Sequence, residues 1–454
     1  MSSSKNSFRR TLWLALAAFV LGGAGSVLTA PLHAGSAAAT PSLLIDVDTG
    51  KVLMAEDATK PWYPASVTKL MTAYVTFEAL RAGQLTPQTL ITVSPVAASQ
   101  APSKMGFKPG TQLTVDNTLK MMLVKSANDM AVVLAEGVGG SVPAFVDRMN
   151  AAARDLGMDG THFANPNGLP DPDNVTTARD LAILARALLT QYPEHAELFR
   201  LPGIQIGTRV IRNYNKLIDR YPGADGMKTG FICASGFNLV ASAKRGDRHV
   251  LAVVLGTPSG KARTEAAALL MERGFQQQAS IFEKMAPSLT SLRNEGGPPT
   301  DMKALVCGAK RKTVASEDDD SPAPNAYMAA GMGSLGAGVT GASLLQDLPP
   351  SRPPEPVWVG PVPDAAALAA AYDTPPAPAA KKPVKPTKTA VKPPAKPETT
   401  ASVDGEATKK PAAKPVAKKP APKPAATAAK PKPAPKPVTT QAPAAAATAT
   451  SDAN

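Results

Sequence analysis

The sequence predicts an α+β domain, an antiparallel sheet packed against a helical region, followed by a long tail without a core. Three observations predict it. Strand-like runs stand at both ends of the segment from about residue 40 to 285. Helix-like runs fill its middle. After about residue 296 no sustained hydrophobic period remains.

The elements follow in order. "PSLLIDVDTGKVLMAED" holds two short strand candidates about the turn residues "DTGK". After the break "PWYP", residues 66–81 read as a helix with Val67, Leu70, Met71, Tyr74, Val75 and Leu80 apolar. Pro64 stands ahead of it, where proline is tolerated, and Gly83 follows as a stop. So apolar a helix belongs in a core. Further helices are expected at "TVDNTLKMMLVK", from Asn128 through "DMAVVLAEGVGG", at "SVPAFVDRMNAAARDLGM", and at "TTARDLAILARALLTQYP" with Thr176 or Thr177 as its cap. "NPNGLPDPDN" reads as loop. "GMKTGF", "FNLVASAKRG" and "RHVLAVVLGT" read as strands, the last two joined by "KRGDR" as a hairpin would be, and "SGKARTEAAALLMERGFQQQ" closes the domain as a helix.

The flanks differ in kind. Residues 1–34 read as an export signal: Lys5, Arg9 and Arg10 precede an apolar stretch, and small residues around Ala34 offer a cleavage site. An uncleaved anchor is the other reading of that stretch. The chain is thus expected to be exported, to the periplasm or cell envelope. Residues 296–454 are expected to be a disordered tail rich in Pro, Ala, Lys and Thr, in which short islands such as "EPVWVGPV" are candidate docking motifs. Residues 381–436 hold fifteen lysines against the acids Glu398, Asp404 and Glu406, nearly all of the formal charge of +13. The folded part is therefore close to neutral, and its charge gives no reason to expect nucleic-acid binding. The basic tail reads as an extended tether able to meet anionic envelope polymers, or as a spacer with no partner. Cys233 and Cys307 are too few for a disulfide scaffold. Export permits a bridge between them without requiring one, and Cys233 is read as a small buried residue. The four histidines show no metal-ligand spacing, and no cofactor is implied.

Three motifs carry the chemistry. In "PASVTKLMTAY", Ser66 and Lys69 share a helix face. A serine hydroxyl needs a base to take its proton, and a lysine serves only where burial and neighbouring positive charge lower its pKa. Alone, the pair is ordinarily a capping serine and a surface lysine. In "KSANDM", Ser126 can relay a proton and the Asn128 amide can bind a carbonyl, although Ser-x-Asn before an apolar run is also a helix start. In "DGMKTGF", Lys228 and Thr229 on an edge strand suit an anionic group, and Gly230 permits close approach of a ligand backbone.

Together and in this order, about 60 and about 100 residues apart, Ser-x-x-Lys, Ser-x-Asn and Lys-Thr-Gly form the signature of penicillin-recognising serine acyl enzymes. The match runs past the triplets. "KPGTQLTVDNTLKMMLVKSANDMAVVLAEGV", "LGMDGTHFANPNGL" and "DGMKTGFICASGFNLVASAKRGDRHVLAVVLG" make residues 40–280 resemble the D-alanyl-D-alanine carboxypeptidases, the low-molecular-mass penicillin-binding proteins of the S11 peptidase family.

The resemblance implies the penicillin-binding-protein/β-lactamase-like transpeptidase fold over about 40–285 and an acyl-enzyme reaction on the D-Ala-D-Ala end of a peptidoglycan stem pentapeptide, with β-lactams as covalent inhibitors. Ser66 would be the nucleophile, Lys69 its base and Ser126 the relay to the leaving amine. Asn128 would hold the substrate amide. Lys228 and Thr229 would contact the terminal carboxylate, helped by Arg263 in "GKART", which could equally be a plain surface arginine. The backbone N–H groups of Ser66 and Phe231 would form the oxyanion hole. Phe231 departs from the His or Thr common after Lys-Thr-Gly, so a side-chain contact is lost there. The all-β second domain and amphipathic anchor of many relatives are not found. A D,D-endopeptidase would carry the same motifs. A class A β-lactamase would have Ser-Asp-Asn, where this chain has Ser-Ala-Asn. A catalytically inactive wall-binding protein would be expected to have lost Ser66 or Lys69, and both are present.

Overall fold

In the order of the chain the elements are β1 (Ser42–Asp46), β2 (Val52–Glu56), α1 (Lys69–Arg81), β3 (Leu90–Thr92), α2 (Pro95–Ser99), β4 (Gln112–Thr114), α3 (Val115–Val124), α4 (Asn128–Gly139), α5 (Val142–Asp155) and α6 (Ala178–Gln191). There follow β5 (Gly203–Ile206), β6 (Arg209–Arg212), β7 (Ala224–Ile232), β8 (Gly236–Arg245), β9 (Arg248–Thr257), α7 (Gly260–Gln276) and, far later, β10 (Glu355–Pro356). This computed structural model describes residues 40–277, 285–309, 315–318, 321, 339–364 and 366–367. The expected export signal and the lysine-rich part of the tail lie outside the described residues.

The main sheet is antiparallel, in the order β2-β1-β9-β8-β7. Its strands alternate between two cores, as a period of two demands. Leu43, Ile45, Leu251, Val253 and Leu255 face the helical region, where they join residues of α1, α3, α4 and α6. Leu44, Val250, Ala252 and Val254 face the other way and pack with Ala267, Leu270 and Met271 of α7. Both faces are covered, which is why β9 reads as a nearly unbroken apolar run. Each of the buried Leu, Ile, Val and Met side chains among these contributes roughly 1.5–3 kcal/mol on transfer from water. The expected sheet and helical region are thus both present, and α7 adds a layer on the far face.

The helix α6 begins at Thr177, whose Oγ1 accepts the Asp180 N–H at 3.1 Å, so Thr177 and not Thr176 is the cap. The helix expected at 66–81 divides into a 3-10 turn, Ala65–Thr68, and α1.

Two expectations are corrected. The folded part passes the boundary expected at 285–296. Leu289, Met302, Val306 and Val357 are buried. Met302 N–H donates to the Ala234 carbonyl at 2.9 Å, and β10 pairs in parallel with β5. The island "EPVWVGPV" thus docks on its own domain: Val357 N–H donates to Gln205 O and Gly360 N–H to Gln112 O, both at 2.8 Å. These stretches bury single apolar residues in surface recesses and present no periodic face, so periodicity does not detect them. Cys233 is half-buried and forms a disulfide with Cys307 across 74 residues. That bond fastens the later segment beside the end of β7.

Candidate active site

The Ser66–Lys69 pair is made by local geometry. In a 3-10 turn residues three apart eclipse one another, so Lys69 lies directly under Ser66. Three contacts fix the turn. Asn238 on β8 donates through Nδ2 to the carbonyls of Tyr63 (2.9 Å) and Pro64 (3.1 Å). Thr72 donates to the Pro166 carbonyl at 2.6 Å. Gly168 packs so closely that a Cβ there would sit 1.8 Å from the Ala65 carbonyl oxygen. Ala65 itself is held at φ +49°, a left-handed conformation costly for a residue with a side chain.

Lys69 is fully buried, while Ser66 is partly open to the cleft. Lys69 Nζ lies 2.9 Å from Ser66 Oγ, 2.7 Å from Asn128 Oδ1 and 2.5 Å from the Asn167 carbonyl. Asn128 Nδ2 donates to the Ala101 carbonyl at 2.9 Å, which fixes its Oδ1 toward the lysine. Ser126, just before α4, is held at φ +59° and receives a hydrogen bond from Lys228 Nζ at 2.9 Å. Lys228 also donates to the Thr229 carbonyl at 2.9 Å.

β7 is the edge strand beside this turn. A Cβ on Gly230 would meet the Pro64 carbonyl at 2.9 Å and Ser66 N at 3.0 Å, so glycine alone permits the approach. The approach sets the backbone of Ser66 next to Gly230 and Phe231. The Phe231 ring stacks on Phe237 with centroids 4.2 Å apart. Arg263, on the first turn of α7, is 1% exposed, with Nη1 3.4 Å from the Gly230 carbonyl. It is no surface arginine.

Burial acts on both lysines. It pushes the Lys69 pKa well below the ordinary value, and the positive charge of Lys228 pushes it further. Burial brings Lys228 down to about 8, with Arg263 acting in the same direction and Glu317 opposing.

The nine expected site residues, Ser66, Lys69, Ser126, Asn128, Lys228, Thr229, Gly230, Phe231 and Arg263, therefore meet at one place. It opens into a cleft of about 850 Å³ whose walls include Ser66, Ser126, Asn128 and Phe231. Sequence reasoning missed four contributors. Asn167 supplies a backbone carbonyl, and any residue has one. Gly168 sits in "NPNGL", read only as loop. Tyr214 lines the cleft without a motif. Glu317 comes from the region taken for tail. Among the described residues, no group of three or more His, Cys, Asp or Glu side chains is arranged to hold a metal ion.

An antiparallel sheet covered on both faces, with a buried lysine beneath a serine at the mouth of a cleft, is the arrangement of a serine-type hydrolase site. A family model described as D-alanyl-D-alanine carboxypeptidase, peptidase S11, matches residues 28–259, and the chain belongs to that family. It is 36% identical over 244 residues to the D-alanyl-D-alanine carboxypeptidase DacF of Bacillus subtilis, covering 53% of this chain and 62% of that one. It is 35% identical to DacC of Escherichia coli, with 56% and 65% covered. The chain thus spans less than two thirds of the length of these relatives. DacB2 of Mycobacterium tuberculosis, 34% identical, is covered to 84%. Among solved structures, the D-alanyl-D-alanine carboxypeptidase DacD of Francisella tularensis superposes with a TM-score of 0.51 at 32% identity, over 52% of this chain and 70% of that one. Penicillin-binding protein 6B of Escherichia coli gives 0.50 at 35% identity, over 52% and 77%.

Proposed function

We propose that the chain is a serine D-Ala-D-Ala carboxypeptidase that trims peptidoglycan stem peptides through an acyl-enzyme on Ser66, in the cell envelope. The observation that carries this reading is the hydrogen-bond set of Lys69. A charged ammonium would donate to all three of its neighbours. A neutral amine has two N–H groups and one lone pair. Asn128 Oδ1 and the Asn167 carbonyl can only accept, so they take the two N–H groups. The lone pair is left facing the Ser66 hydroxyl, as a general base requires. Burial, and the positive charge of Lys228 after it, lower the Lys69 pKa and so favour that neutral form.

The remaining roles follow from position. Ser66 Oγ, freed of its proton, attacks the carbonyl between the two D-alanines. The backbone N–H groups of Ser66 and Phe231 receive the oxyanion. The proton that Lys69 took from Ser66 is returned through Ser126, hydrogen-bonded by Lys228, to the leaving amine; D-alanine departs and Lys69 is again neutral, able to take the proton of the water that follows. Water then cleaves the acyl-enzyme. Lys228, Thr229 and Arg263 recognise the terminal carboxylate, and β-lactams acylate the same serine. The Cys233–Cys307 disulfide supports an oxidising, exported setting.

D-alanine release from a pentapeptide ending in D-Ala-D-Ala, by the full chain and by Ser66→Ala, tests the reading. Release by the wild type only, blocked by penicillin, is expected. Covalent labelling by penicillin without release would point to endopeptidase action on cross-links. Absence of both labelling and release would overturn the proposal.

A further inference from the structure

Glu317 lies where a substrate carboxylate would go. Its segment, residues 315–318, returns to the cleft beyond the Cys233–Cys307 disulfide, and Ser316, Glu317 and Asp318 line the cleft with Ser66. The Glu317 carboxylate stands 3.4 Å from Arg263 Nη1, and Arg263 Nη2 donates to the Glu317 backbone carbonyl at 3.2 Å. Lys228 and Thr229 are its other close neighbours. Burial alone pushes the Glu317 carboxyl up, but the charges of Arg263 and Lys228, with Thr229, overcome this and hold it below the ordinary carboxylate value. Glu317 is thus an anion beside two buried cationic side chains, Lys228 and Arg263, in a site that also holds the buried Lys69.

We propose that Glu317 is a built-in competitor of substrate, its side-chain carboxylate occupying the subsite that Lys228, Thr229 and Arg263 offer to the terminal carboxylate of the peptide. The inference rests on the carboxylate role given above to those three residues. Two features make the occupancy reversible. The fit is incomplete: the Glu317–Arg263 ion pair is long at 3.4 Å and Arg263 Nε is buried without a hydrogen-bond partner, so a ligand satisfying them better would displace the segment. The segment is also local to the site, because Cys307 anchors the chain ten residues before Glu317. A tethered weak ligand competes through its effective concentration. Glu317 also favours the protonated forms of Lys69 and Lys228, so while it is seated the base is less available to Ser66.

The test compares the full chain with its Glu317→Gln and Glu317→Ala variants, reading the second-order rate of Ser66 acylation by a fluorescent penicillin, D-alanine release, and the melting temperature. If the wild-type site is free about one tenth of the time, either variant should react about ten-fold faster at unchanged kcat, with the gain in KM. Equal rates, within about two-fold, would overturn occupancy while leaving the enzyme reading intact. Slower acylation in both variants would make Glu317 a helper of the reaction and overturn occupancy as well. Failure of all three chains to label at Ser66 would instead remove the enzyme reading, and this proposal with it.

Discussion

At the residue scale the proposed reaction asks opposite protonation states of two lysines that sit in nearly the same surroundings. Both are buried, and both pKa values fall for that reason first. Lys69 falls further because Lys228 stands beside it, whereas the lowering of Lys228 by Arg263 is opposed by Glu317. The proposed reaction needs Lys69 neutral, so its rate should rise with pH as Lys69 loses its proton. It also needs Lys228 charged, so the rate should fall again as pH passes about 8. Replacing Lys228 by Gln should remove that alkaline limb and lower the acylation rate about 100-fold. It should also move the acid limb upward, since Lys69 loses the positive neighbour that depresses it. The pH profile of acylation for the two chains decides the matter. An unmoved acid limb would show that Lys228 does not tune Lys69.

At the scale of elements, Ser66, the proposed nucleophile, is placed by a 3-10 turn wedged between β7, β8 and the loop through Gly168. Gly168 sits at φ +79° with no room for a Cβ. Gly168→Ala should therefore cost about 3 kcal/mol or more in urea unfolding, and should slow acylation by shifting Ser66. A variant of wild-type stability would mean that the loop is not what sets the turn. The same contrast explains what the sequence could and could not tell. Ser66, Lys69, Ser126, Asn128 and Lys228 were legible because side-chain chemistry at fixed spacing leaves a mark in the residue types. The strands of the sheet and the helices α1, α3 to α7 were legible through their apolar periods. The β3–β4 and β5–β6 ribbons were not, since strands of three or four residues are too short to display alternation. Asn167 was not legible either, because it acts through a carbonyl that every residue possesses.

At the scale of the whole molecule, the described segments after α7 return over the domain as a set of separate clasps. Leu289 fills a recess beside the β1–β2 turn, with its N–H donating to the Gly50 carbonyl at 2.9 Å, and Glu295 accepts from Thr59. The short helix Lys303–Val306 and the disulfide hold the next stretch at the end of β7. β10 lies along β5, where Glu355 meets Lys120 at 2.9 Å. The disulfide closes a loop of 74 residues, so the chain-entropy model gives it at most about 4.5 kcal/mol of stability. Its second consequence concerns the site. It ties Cys307 to the domain ten residues before Glu317, and so sets the effective concentration of that carboxylate in the cleft. Replacing both cysteines by alanine should then lower the unfolding free energy and, at a temperature where the domain stays folded, raise the acylation rate a few-fold. The rise should vanish when Glu317→Gln is already present, because nothing would be left to release. Lower stability with an unchanged rate in both backgrounds would make the disulfide a staple only. A rise that persists without Glu317 would mean that the bond restrains β7 itself, one residue after Ile232.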